Sequence, residues 1–406
     1  MNLSHTANSM KPVQAETSVP KPAALSPGER RELEIAFAQA LAFSSDRQRN
    51  YAKADQLFQM CLCREPANPL IITAYLENLA RWRTRSVRPT WRAWWYLREL
   101  GKSKFDGPLE KYRSLIAGAS AHFSTQILSL LAATSQEMSE PLAEEAYLRE
   151  ILRRESNAAI AHRRLAEIRI SQADFESARK HWELLPLAER TSSAEQCFTA
   201  IDEPISEPRL PDASSLHAVL GIAQELAGKK SFSKAEELLS QAQNTFGASF
   251  TLQEVREDVQ LAQLEFQFTR MQELEKNGNQ LAGKAKISLY QKRARFKLEI
   301  TGARADRYPD DWEKRLNIVR ELLAGENYFE AIRRLNESPS PPSGIFAAIA
   351  QRLLAETHQR LRQFDKAMAT YSSLLSSENF AALSLEDQSK IRSQSDRLAA
   401  AMQPPG

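Results

Sequence analysis

The chain has 406 residues, 42% of them hydrophobic and 26% charged, with 54 basic against 51 acidic side chains and a net charge of +3. That balance excludes a global field of the kind that draws a protein to nucleic acid or a membrane surface, so any such role has to be local. Its 13 glycines are few for a sheet-rich fold with many turns, and the length suits either two or three ordinary domains or one extended repeat array.

Residues 1–28, "MNLSHTANSMKPVQAETSVPKPAALSPG", are polar and proline-containing and read as a disordered leader without the apolar core of a signal peptide. No later run of about 18 apolar residues follows, so the expectation is a soluble, cytoplasmic protein. Cys61, Cys63 and Cys197 offer only C-x-C spacing, which supports neither a disulfide framework nor a zinc site and points to a reducing compartment.

From there the pattern is helical and repeats. In "NYAKADQLFQMCLCREPAN" Ala54 precedes Phe58 and Cys61, with Pro66 at the stop, and the helix before it offers Leu41 and Ala42 for packing. Next comes "RWRTRSVRPTWRAWW", with four tryptophans and five arginines, in a stretch free of acid from Asn78 through Arg98. A helical wheel from Thr90 to Leu100 gathers Ala93, Trp94, Tyr96, Leu97 and Leu100 on one side, with Trp91, Trp95 and Arg98 across, as expected of a helix covered on both sides. Further on, Leu148 and Ile151 recur as Trp182 and Leu185 at an offset of 34 residues. Val219, Ile222, Ala223 and Leu226 are followed by Ala235, Leu239 and Ala242. Ile318, Leu322, Ala331 and Leu335 repeat the pattern, as do Leu354, Ala355, Ala367, Tyr371 and Leu374. Ala42 and Ala54, Ala166 and Ala178, Ala223 and Ala235, and Ala355 and Ala367 are each 12 positions apart, one small residue per helix of a hairpin.

These residues resemble the tetratricopeptide repeat family, whose two helices carry large apolar residues with small ones at the crossing. The resemblance covers about two thirds of the chain and departs at Glu144, which stands where the second helix of the family has alanine. It implies an all-α fold, an α-solenoid of degenerate helix hairpins. Residues 251–312 are similar to the long helical pair of some large bacterial repeat proteins. There Leu252, Val255, Val259, Ala262 and Phe266 form one apolar stripe and Leu261, Leu264, Phe268 and Met271 a second, so the helix should touch more than one neighbour. "KNGNQ" at 276–280 breaks it into an antiparallel hairpin. The expected organisation is a leader at 1–28, an N-terminal array at 29–200, a proline-rich linker at 201–215, a C-terminal array at 216–400 containing the long pair 251–305, and a tail at 401–406. A second loop, "ESPSPPSG", follows the hairpin that ends near Asn336.

Catalytic and cofactor motifs are missing. His5, His122, His162, His181, His217 and His358 never fall at metal-ligand spacing, and no phosphate loop, dinucleotide fingerprint or nucleophile elbow occurs. Acidic pairs such as Glu144 and Glu145, or Glu236 and Glu237, read as solvated helix faces. The expectation is a non-catalytic protein-interaction scaffold with no metal and no cofactor. Its groove would be lined by first helices, where Arg163 with Glu167 and Arg352 with Glu356 are spaced so that each pair can neutralise itself within its helix. The family's clamp for a C-terminal carboxylate uses lysine or arginine with asparagine there. Glutamate in its place disfavours a chaperone-tail receptor and favours a mixed-charge peptide or a folded protein. The alternative is a nucleic-acid or anionic-surface contact through 81–98, where Arg81, Arg83, Arg85, Arg88 and Arg92 stand beside Trp91. Residues 251–305 are a further candidate, for self-association, because their second apolar stripe needs a cover.

Overall fold

The computed structural model describes residues 25–45, 47–83, 105–121, 123–202, 215–337 and 342–402, all in helices and the turns between them. The order is α1 Pro27–Ser44, α2 Tyr51–Arg64, α3 Pro69–Arg83, α4 Pro108–Ala121, α5 Thr125–Glu137, α6 Pro141–Arg154, α7 Ala159–Ser171, α8 Phe175–Glu183 and α9 Ser192–Ile201. Then come α10 Leu216–Gly228, α11 Phe232–Phe246, α12 Phe250–Lys276, α13 Gln280–Arg307, α14 Trp312–Ala324, α15 Tyr328–Asn336, α16 Gly344–Arg360, α17 Phe364–Leu375 and α18 Leu385–Met402. The expected all-α fold of sequential helix hairpins is what the chain adopts. Among the described residues no helix is long and apolar enough to cross a membrane.

Two compact units divide the chain, one holding residues up to Ile170 with Asp174–Ala194, the other Ser171–Ala173 with everything from Glu195 on. Helix α9 runs to Ile201, so the first residue of the expected linker is helical; residues 203–214 of it lie outside the described residues. The leader likewise ends sooner than its composition suggested. Ser26 and Glu29 form a reciprocal capping box, with Ser26 N–H donating to Glu29 at 2.8 Å and Glu29 N–H to Ser26 Oγ at 3.3 Å, and Pro27 sits at the first helical position.

The repeat is written most plainly in its turns. Six helix pairs, α5–α6, α7–α8, α10–α11, α12–α13, α14–α15 and α16–α17, are joined by three residues whose middle member is left-handed: Ser139, Ala173, Lys230, Gly278, Glu326 and Arg362, with φ from 55° to 88°. In each, the third residue's N–H donates to the carbonyl five residues back, at 2.8–3.1 Å, which caps the first helix and aims the second antiparallel to it. Measured from these turns, small residues fall at the same two places. Ala166 and Ala178, Ala223 and Ala235, and Ala355 and Ala367 are all 0% exposed, as are Val319 and Ala331. The long pair buries the corresponding places too, with small Gly283 at the second and the larger Met271 at the first, so it shares the turn and the buried crossing with longer arms.

Only the long pair places glycine at the left-handed position; the other five hold side chains there at a cost of roughly 1–2 kcal/mol each. Lys230→Gly is therefore expected to stabilise the chain by about 0.5–1 kcal/mol once glycine's extra chain entropy is subtracted, and Lys230→Val to destabilise it. Urea melts of the full chain followed by circular dichroism read both, and an unchanged midpoint for the glycine variant contradicts the expectation.

The first hairpin breaks the rule. Helix α1 ends at Ser44 and α2 begins only at Tyr51, and α1 buries Leu33, Ala36, Ala40 and Ser44. Leu41 is 45% exposed and Ala42 is exposed as well, so the expected packing of these two residues is corrected to Ala40. The longer connection shifts the register by half a turn, which the spacing between alanines cannot reveal.

Within the first unit α2, α3, α4 and α6 close on Phe58, Tyr75, Tyr112 and Tyr147, all 0% exposed. A carbonyl only accepts, so Tyr112 O–H donates to Pro66 O at 3.1 Å, and Tyr147 O–H must then donate to the Tyr112 oxygen at 2.6 Å. Burial pushes both phenols above their usual range. In the second unit core clusters follow in chain order over α10–α12, α13–α16 and α16–α18, and Ile349 packs against the last two. Helix α12 meets several neighbours as its two stripes require. Leu252, Val255 and Val259 are buried against α10 and α11, and Met271 is fully buried.

Candidate interaction surfaces

Arg163 lies on α7 and Arg352 on α16, both half-buried. Arg163 reaches Glu189 at 3.4 Å and not Glu167; Glu167 is taken by Arg164 at 2.5 Å. The expected pairing of Arg163 with Glu167 is corrected because Arg164, one residue on, already stands between two carboxylates. The second pair does form, with Arg352 Nε 3.7 Å from Glu356, but Arg352 Nη1 makes its shorter bond to Asp387 of α18 at 2.7 Å. Burial pushes the Glu356 carboxyl up against the pull of Arg352 and Arg360, whereas the Ser384 hydroxyl, together with Arg352, holds Asp387 down. Tyr371 beside them is pushed up to about 12, by burial first and then by Glu356. This cluster is matched in charge and tied across helices, so a polar partner can bind there only by exchanging an existing contact.

The acid pair at 144 and 145 is also not what its composition suggested. Glu144 and Glu145 are 4% and 5% exposed, not solvated. Arg164 of α7 donates to Glu144 through Nε at 2.9 Å and Nη2 at 2.8 Å, and Arg169 bonds Glu145. The departure from the repeat at Glu144 thus carries its own counter-ion on the next helix. The pair at 236 and 237 is divided: Glu236 is half-buried near Arg256 at 3.4 Å, and Glu237 is exposed.

Of the basic stretch, Arg81 ends up exposed near the close of α3, with its guanidinium 3.4 Å from the Ser44 carbonyl, and Arg83 is the last residue of α3. Arg85, Arg88, Trp91 and Arg92 lie outside the described residues, as do all of 84–104.

Two arrangements were hidden by distance along the chain. His162 and His181, on α7 and α8, bring their Nδ1 atoms to 3.1 Å, while His162 Nε2 lies 2.9 Å from Ser156 O. With neutral rings, His162 donates through Nε2 and accepts at Nδ1 from His181. Burial, then His162, Arg169 and Arg149, hold His181 below its usual range. No third histidine, cysteine or carboxylate completes a metal set among the described residues.

The other is a groove of about 410 Å³ in the second unit, lined among others by Gln243, Arg256, Glu257, Gln260, Phe296 and Arg307. Arg304 ties it across the long pair, donating to Glu257 at 3.0 Å, to Asp258 at 2.8 Å and to the Glu254 carbonyl at 2.8 Å; Arg307 also bonds Glu257. Elsewhere on the long pair apolar side chains stand in water, Ile287 at 57% and Tyr290 at 56% exposed, and Phe268 meets Tyr290 at 6.4 Å between ring centroids.

No protein-family model matches the chain, and no curated protein matches it. Twelve solved chains match in structure, among them a tetratricopeptide repeat protein from Parabacteroides merdae at 12% identity, covering 90% of this chain and 99% of that one with a TM-score of 0.19. A score that low carries nothing about the fold, which rests on the turns and crossings of the chain itself.

Proposed function

We propose that the chain is a non-catalytic scaffold that binds other proteins through the helix faces left open by its hairpin repeats. The observation that carries this is the shared turn with its small-residue crossings. Each helix pair spends one face on its neighbour and presents the other, an architecture that builds binding surface rather than an enclosed reaction site. The charged positions on α7 and α16 are paired with carboxylates from other elements, which suits a mixed-charge protein partner over a bare anion. Among those partners the reading includes a second copy of the chain, meeting through 251–305. The test is affinity purification with mass spectrometry, with and without nuclease, on the natural chain and on a variant with Arg81, Arg83, Arg85, Arg88 and Arg92 changed to glutamine. Reproducible protein partners that survive nuclease are the expected result. Recovery lost to both nuclease and the substitutions, with helix content unchanged, replaces this reading with a nucleic-acid contact through 81–98.

A further inference from the structure

The long pair separates its charges by helix. Helix α12 carries Glu254, Glu257, Asp258, Glu265, Glu273 and Glu275 against Arg256, Arg270 and Lys276, whereas from Lys276 to Leu298 there is no acid at all. Glu257 is consumed by Arg304 and Arg307, and Glu275 by Lys286. What remains in water is ordered. On α12, Leu261 and Phe268 are half-buried with Glu265 exposed between them, and Glu273 is exposed further on, 2.9 Å from Arg270. On α13, Ile287, Tyr290 and Ala294 follow at helical spacing and are exposed, flanked on their outer edge by exposed Lys284 and Arg295.

The ties across the hairpin set the register. Lys286 pairs with Glu275, Phe268 stacks near Tyr290 and Arg304 holds Glu257. At that register Glu265 stands level with Arg295, and Glu273 within about one helical turn of Lys284. Because Phe268 and Tyr290 touch, the half-buried residues of α12 and the exposed residues of α13 share one side of the hairpin. That side is an apolar centre with an acidic edge along α12 and a basic edge along α13.

We propose that this side is a self-association surface, and that two copies pair it face to face about a two-fold axis running along the hairpin. Such an axis turns the hairpin over and exchanges its edges without changing level, so α12 of each copy lies against α13 of the other. Glu265 then meets the partner's Arg295, Glu273 comes within about one turn of the partner's Lys284, and Tyr290 closes against the partner's Phe268 with Ile287 and Ala294 a turn to either side. The acidic edge complements only a basic edge at matching heights, which the same chain supplies. A four-helix contact of this kind covers the apolar side chains that one chain leaves in water. The proposal deepens the scaffold reading, which counts a second copy meeting through 251–305 among the partners, and rests on it for that.

The test is the mass of the purified full-length chain by sedimentation velocity and light scattering over a range of concentrations, with circular dichroism to confirm helix content. The natural chain is expected to dimerise. The double variant Ile287→Asp with Tyr290→Asp is expected to weaken the dimer at least about 100-fold. Glu265→Lys with Glu273→Lys weakens it too, and adding Lys284→Glu with Arg295→Glu to that variant restores it by reversing both edges together. A natural chain monomeric at the highest soluble concentration overturns the proposal. So does a dimer indifferent to the aspartates, or a charge-reversed quadruple variant that stays monomeric. None of these outcomes touches whether other proteins are recovered in the affinity purification.

Discussion

Replacing Arg164 with methionine is expected to destabilise the first unit by about 3–5 kcal/mol, because it strips two charge-assisted hydrogen bonds from a buried carboxylate. Glu144 has a side chain 5% exposed, and Arg164 at 26% holds it by two hydrogen bonds of 2.8–2.9 Å, so water cannot take over the role of the guanidinium. Adding Glu144→Ala should restore most of the loss, because alanine is what this place holds in four of the equivalent hairpins, and a buried ion pair exchanged for apolar groups is often neutral. Denaturant melts of the two variants decide it. A single variant within about 0.5 kcal/mol of the natural chain shows that Glu144 does not depend on this arginine.

The converse substitution has an effect of similar size. Ala367 occupies the same place in α17 that Glu144 occupies in α6, five residues after the left-handed turn residue, and is 0% exposed in an apolar cluster with Ala348, Ala355 and Tyr371. Ala367→Glu puts a carboxylate there without an arginine placed like Arg164 to meet it. The expected cost is about 3–5 kcal/mol or loss of the α16–α17 hairpin, read as a lower melting midpoint and reduced helicity. Ala367→Ser, which adds a single hydroxyl able to bond the preceding turn, should cost about 1 kcal/mol and serves as the control for volume. If glutamate is as well tolerated at 367 as it is at 144, then the place is solvated and the hairpins are not equivalent.

Much of the candidate surface was legible because it is periodic. The apolar stripes of α12 and the break at 276–280 are local features, and each stands where its pattern put it. The contacts of the charged residues were not. Arg163 and Glu167 have the spacing of an intrahelical pair, yet Glu189 and Arg164 claim them instead, because a long side chain with several rotamers pairs with whatever charge packing brings closest. The histidine pair was hidden for the same reason, since 19 residues separate two rings that a three-residue turn brings together.

The sequence by itself determined that the chain is helical, where most helices stop, and which face of most hairpins is small and buried. Those properties depend on the helix period and on residues a few positions apart, which the backbone keeps within reach in any context. Only the tertiary structure decided that Ala40 and not Ala42 faces α2, that Glu144 is buried with Arg164 across from it, and that the long pair exposes one side with opposite charges on its edges. Each of these depends on how far one helix is rotated and shifted against another. That offset is set by connection length and by the packing of whole faces, quantities that no short window of residues contains.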